Sequence, residues 1–111
     1  MLTIWHNPRC SKSRETLALL EARGLSPVIV DYQKTPPSAA ELERVLGLLG
    51  IEPRALMRKG EAEYAGVPAD ASRDALIAAM IATPKLIERP VVIHGEKAAI
   101  GRPPEAVLAI L

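Results

Sequence analysis

A chain of 111 residues that is 49% hydrophobic, with 14 basic against 13 acidic side chains, is sized for one globular domain with a real core. Its formal charge of +1 argues against nucleic-acid binding through net charge, so any anion site must be local, and the absence of phenylalanine argues against base stacking. No apolar run approaches the roughly 18 residues of a membrane helix, no secretory leader is visible, and a single cysteine excludes an internal disulfide, which together fit a cytoplasmic protein.

Leu2-Thr3-Ile4-Trp5 reads as a strand, Asn7-Pro8 as a turn, and Ser11 to Arg23 as a helix with Gly24 placed to end it. Val28-Ile29-Val30 is short and β-branched, the pattern of a buried strand, so the first thirty or so residues form one βαβ unit with parallel strands. Pro36-Pro37 breaks the chain. Ser38-Ala39-Ala40-Glu41 is a capping-box sequence that opens a helix with Leu42, Val45, Leu46 and Leu49 on one face, ending near Gly50. Pro53 starts a short helical piece through Arg58, and a polar loop follows from Gly60 to Asp70. Ser72 caps a third helix carrying Leu76, Ile77, Met80 and Ile81, with Pro84 at its end or just beyond it.

Pro90 to Ile93 and Ala98 to Ile100 are apolar runs around His94-Gly95-Glu96-Lys97, a β-hairpin pattern that places His94 in an exposed turn. Gly101-Arg102-Pro103-Pro104-Glu105 leads into a last helix that offers Val107, Leu108 and Leu111 for packing. The expected architecture is α/β: βαβ, a helical insertion at about residues 36–86, then ββα, with the strands joined in one mixed sheet flanked by helices and residues 1–111 forming one domain.

Cys10 falls between the first strand and the first helix, flanked by Arg9, Lys12 and Arg14. A sulfur there faces unpaired helix amides and the positive end of a macrodipole, a setting that favours the nucleophilic thiolate. A buried, inert cysteine is the competing reading, and the basic neighbours weigh against it. One cysteine and two separated histidines offer no metal-ligand spacing, so no metal is expected.

The runs from His6 to Arg14, Arg54 to Lys59, Glu88 to Val92 and Gly101 to Glu105, in this order, resemble the glutaredoxin-coupled arsenate reductase family, and the resemblance covers nearly the whole chain. It implies a thioredoxin-like fold, with a cis proline at Pro90 opposite the cysteine. It also implies Cys10 as the nucleophile, His6 and Ser13 as tuners of its ionisation, and Arg58, Arg89 and Arg102 as the oxyanion cradle. The partners so implied are arsenate as substrate, glutathione as co-substrate and glutaredoxin as the regenerating protein, with no bound cofactor.

Ser11-Lys12 stands where the best-known reductases carry glycine and threonine, and the chain stops at Leu111, short of the C-terminal extension of longer relatives. Two other readings stay open: a glutathione-dependent thiol protein acting on a non-arsenate substrate, and an RNA-polymerase-binding redox regulator. Against the regulator, position 13 is Ser13 and not the second cysteine of its redox switch.

Overall fold

The computed structural model describes residues 1–111. They form two compact units, Met1–Thr35 with Arg89–Leu111, and Pro36–Glu88.

The first unit is built on a four-stranded mixed sheet of order β2-β1-β3-β4, from β1 (Leu2–His6), β2 (Val28–Asp31), β3 (Val91–His94) and β4 (Lys97–Ile100). Central β1 runs parallel to β2, with His6 opposite Asp31, and antiparallel to β3, with Ile4 opposite Val92. The β-branched pattern of Val28-Ile29-Val30 predicts a buried strand, but β2 is an edge strand paired on one side only, which leaves Val28 48% and Ile29 51% exposed. The β3–β4 hairpin is tighter than the pattern suggested, because His94 pairs with Lys97 and only Gly95 and Glu96 form the turn. Gly95 takes φ +60, as the first position of a type II′ turn demands. His94 is exposed, and its Nδ1 lies 2.7 Å from the carbonyl oxygen of Ile110.

Helix α1 (Ser11–Ala22) packs on one face of the sheet, where Ile4, Leu20, Val92 and Val107 share a core cluster. It closes with a Schellman motif: Leu25 N–H reaches the Leu20 carbonyl at 3.1 Å and Gly24 N–H the Glu21 carbonyl at 2.9 Å, with Gly24 at φ +76. The terminal segment is not an α-helix but a 3-10 helix, Pro104–Ile110. Its burial follows a period of three, with Pro104 and Val107 buried and Ile110 against the core, whereas Leu108 is exposed, contrary to the α-helical pattern. Eclipsing of side chains at i and i+3 puts these three residues on one stripe.

The second unit holds α2 (Ala39–Leu49) and α3 (Arg73–Ala82), each opened by a serine as the sequence implies. Ser38 accepts from Glu41 N–H at 3.1 Å and Ser72 from Ala75 N–H at 3.2 Å. The 3-10 helix Pro53–Leu56 is shorter than the helical piece expected through Arg58, because Met57 turns extended and bridges Ile87, and Pro84 opens a further 3-10 helix, Pro84–Leu86. The expected polar loop contains a 3-10 helix at Ala62–Gly66. Leu42, Val45, Leu46, Leu76, Ile77 and Met80 are buried. Arg73 ties α3 to α2 and its exit through Glu43 at 3.0 Å and Glu52 at 3.3 Å. No helix is long and apolar enough to cross a membrane.

Candidate active site

The connection between β1 and α1 is shaped by its own hydrogen bonds. Asn7 acts as an Asx-type turn former: its Oδ1 accepts Arg9 N–H at 3.0 Å and its carbonyl accepts Cys10 N–H at 3.0 Å. Arg14, one turn into the helix, ties back to the Pro8 carbonyl at 3.0 Å. Cys10 is thereby held at the N-cap of α1 in an extended conformation, and its side chain makes no capping bond. The sulfur residue is 9% exposed. Its polar contact comes from the other end of the chain, where Nη2 of Arg102 lies 3.7 Å from Sγ.

Arg102 is fixed by a second bond, from Nε to the Arg89 carbonyl at 2.9 Å. Both arginines precede cis prolines, Pro90 and Pro103, the first as the resemblance implied. Gly101 lets these segments close on α1. A Cβ there would fall 2.5 Å from Thr16 Oγ1 and 2.8 Å from Pro90 Cγ, and Gly101 N–H donates to the Pro90 carbonyl at 2.9 Å. Arg89 is buried, at 8% exposure.

His6 and Ser13 form a buried pair, with Nδ1 and Oγ 2.7 Å apart, and Ser13 Oγ also accepts Asn7 N–H at 2.9 Å. Neither residue makes a hydrogen bond to the sulfur. Ser13, fully buried on the first turn of α1, holds the end of β1 and the start of the turn together. Burial pushes the His6 imidazole below its ordinary pKa; the Asp31 carboxylate opposes this, Arg14 reinforces it, and Glu21 opposes it. His6 is therefore neutral at pH 7, and the cation that meets the sulfur is Arg102.

Arg58 lies in the helical unit, beside the bridge between Met57 and Ile87. Its guanidinium pairs with Glu61 and lies 3.9 Å from Glu88. The first unit thus brings together Cys10 and Arg102, with the Arg89 backbone bonded to Arg102, and sets the His6–Ser13 pair behind the loop. Sequence reasoning missed Asp31, which sits across the strand register from His6 and whose carboxylate receives Gln33 and Lys34 N–H at 3.2 and 3.3 Å. An aspartate closing a strand just before a polar turn is the signal that marks it.

Chemically, the arrangement sets a thiol sulfur beside a permanent cation on a planar fork of donors, next to helix amides that its own side chain does not cap. Such an arrangement suits attack on an anionic centre.

Comparison with known proteins agrees. The profile of the ArsC family matches residues 5–110. An arsenate reductase of Haemophilus influenzae is 48% identical over 112 residues, covering 97% of each chain. The uncharacterized protein YfgD of Escherichia coli is 51% identical, covering 97% of this chain and 94% of its own. The solved structure of an arsenate reductase from Vibrio cholerae superposes with a TM-score of 0.96 at 52% identity, covering 99% of this chain and 97% of that one. Fold, motif order and identity converge: the chain belongs to the ArsC family and has its thioredoxin-like fold.

Proposed function

We propose that this protein is an arsenate reductase that uses Cys10 as its nucleophile and takes its electrons from external thiols, glutathione and glutaredoxin. The observation that carries the reading is the Cys10 sulfur at the N-cap of α1 with the Arg102 guanidinium 3.7 Å away. The relatives named arsenate reductase support the choice of substrate. Arsenate is a tetrahedral oxyanion, so the site must offset charge while leaving the central atom open to sulfur. Arg102 and Arg89 supply the cationic side.

In the proposed cycle, Cys10 Sγ attacks arsenic and displaces an oxygen, which leaves as water. A first thiol bonds to arsenic with loss of a second water. The next thiol attacks the sulfur of the first, forming a disulfide and leaving the electron pair on arsenic, which falls from As(V) to As(III). Water then cleaves the bond from Cys10 to As(III), releasing arsenite and restoring the thiol. Each turnover consumes two external thiols, and Cys10, the only cysteine, ends unchanged.

The test is NADPH oxidation through glutathione reductase with arsenate, glutathione and glutaredoxin added in turn. Turnover requiring all three, and lost in Cys10→Ser, is the expected result. Full turnover with thioredoxin and no glutathione, or undiminished turnover in Cys10→Ser, overturns it.

A further inference from the structure

A cavity of about 300 Å³ opens beside the cysteine loop, lined by Asn7, Pro8 and Arg9 from the β1–α1 connection and by Asp31, Gln33 and Lys34 from the end of β2. It lies outside the carboxyl ends of two adjacent parallel strands, a position where α/β folds form crevices for ligands. Its charges are uncommitted. Neither the Arg9 guanidinium nor the Lys34 ammonium enters an ion pair, although Lys12, Arg58, Arg73 and Lys85 all do. Asp31 spends Oδ1 on the turn amides of Gln33 and Lys34, and Oδ2 is left for another partner. The lining therefore offers two cations, one carboxylate and the side-chain amides of Asn7 and Gln33, in a space immediately before the nucleophile in the chain.

We propose that this cavity docks the thiol reductant itself, as a small peptide carrying two carboxylates and one ammonium group, the charge complement of Arg9, Lys34 and Asp31. The proposal rests on the thiol-dependent reading above and adds to it a binding site. A bare oxyanion would use only the cations and leave Asp31 repelling it. A peptide of net charge −1 matches the lining's formal +1 and uses all three groups. The site lies on the cysteine loop and shares neither Arg89 nor Arg102, so oxyanion and reductant would be held by different residues.

S-methylglutathione tests this directly, because it keeps every charge of glutathione and cannot reduce anything. Calorimetry should show saturable binding that weakens about three- to fivefold in Arg9→Gln and again in Lys34→Gln, the scale of solvent-exposed charge contacts. Asp31→Asn, which preserves the turn acceptor, should weaken it similarly. In turnover assays the double variant Arg9→Gln/Lys34→Gln should raise the KM for glutathione by about tenfold and leave kcat at saturating glutathione unchanged. Unaltered affinity and KM in the double variant overturn the proposal, as does displacement of S-methylglutathione by equimolar inorganic phosphate, which would make the cavity an oxyanion site. Binding of S-methylglutathione as expected, with no arsenate turnover by the parent protein, would uphold the dock and sink the arsenate reading instead.

Discussion

Arg102 touches Cys10 with one arm of its guanidinium, Nη2 to Sγ at 3.7 Å, while its Nε holds the Arg89 carbonyl at 2.9 Å. One side chain therefore sets both the charge beside the sulfur and the distance between the sulfur and the segment that carries Arg89.

Arg102→Ala should slow alkylation of Cys10 by iodoacetamide at pH 7 by about tenfold, the lower range for a charged hydrogen bond because the arginine is partly solvated. Arg102→Lys keeps the charge but not the fork, so its rate should fall between the two. Arsenate turnover should follow the same order. Equal alkylation rates in all three proteins would remove Arg102 from the site.

Gly101→Ala tests the close approach of the Arg102 segment to α1. The added methyl would meet Thr16 Oγ1 and Pro90 Cγ inside 3.0 Å, and Thr16 is itself buried and bonded to the Lys12 carbonyl at 2.8 Å. Overpacking of this kind costs about 1–3 kcal/mol, read as a lower urea midpoint. Thr16→Ala should recover part of that loss in the double variant, since the two residues share the contact.

Ser13→Ala should destabilise the protein by about 1–3 kcal/mol, because it leaves the buried His6 Nδ1 and the Asn7 N–H without their shared partner. Urea melts measure the loss. A melt matching the parent would mean the loop is held by the Asn7 turn alone.

The neutral state of His6 gives stability a definite pH sign. Its folded pKa lies below the ordinary 6.5, so as pH falls through about 6.5 the unfolded chain takes up a proton that the native state refuses. Stability from this group is thus fully present above 6.5 and is lost as pH falls toward the folded pKa. An NMR titration of the His6 ring should give a midpoint below 6.5, and His6→Asn should flatten the acid side of a plot of Tm against pH. A midpoint above 6.5 would reverse the assignment of burial as the dominant cause.

Much of the fold is legible in the sequence because its signals are local. Ser38 and Ser72 cap where they stand, Gly24 and Gly95 take the positive φ their turns need, and the apolar faces of α2 and α3 are buried except at Leu49 and Ile81, which are half-buried. What was not legible depends on partners far along the chain. The exposure of Val28 and Ile29 follows from the strand order, which no run of three residues encodes. The choice of 3-10 over α geometry at Pro104–Ile110 turns on a three-residue burial period easily read as a four-residue one. In the candidate site, Cys10 and its helix are visible at once, whereas the contact from Arg102 requires β1, β3 and β4 to be assembled first.

That dependence fixes when the site can exist during folding. Strand β1 lies near the start of the chain, yet two of the three strand pairings in its sheet involve β3, which is not complete until His94. Before then β1 has only β2 to pair with, and a two-stranded sheet is marginal in water. Ninety-two positions separate the sulfur from its cation, so their contact carries one of the largest loop-closure costs this chain can incur and belongs among the late events of folding. During synthesis Cys10 emerges early and waits without Arg102. Only the finished sheet brings the guanidinium to it, so partly folded molecules do not yet hold the cation that marks the native site.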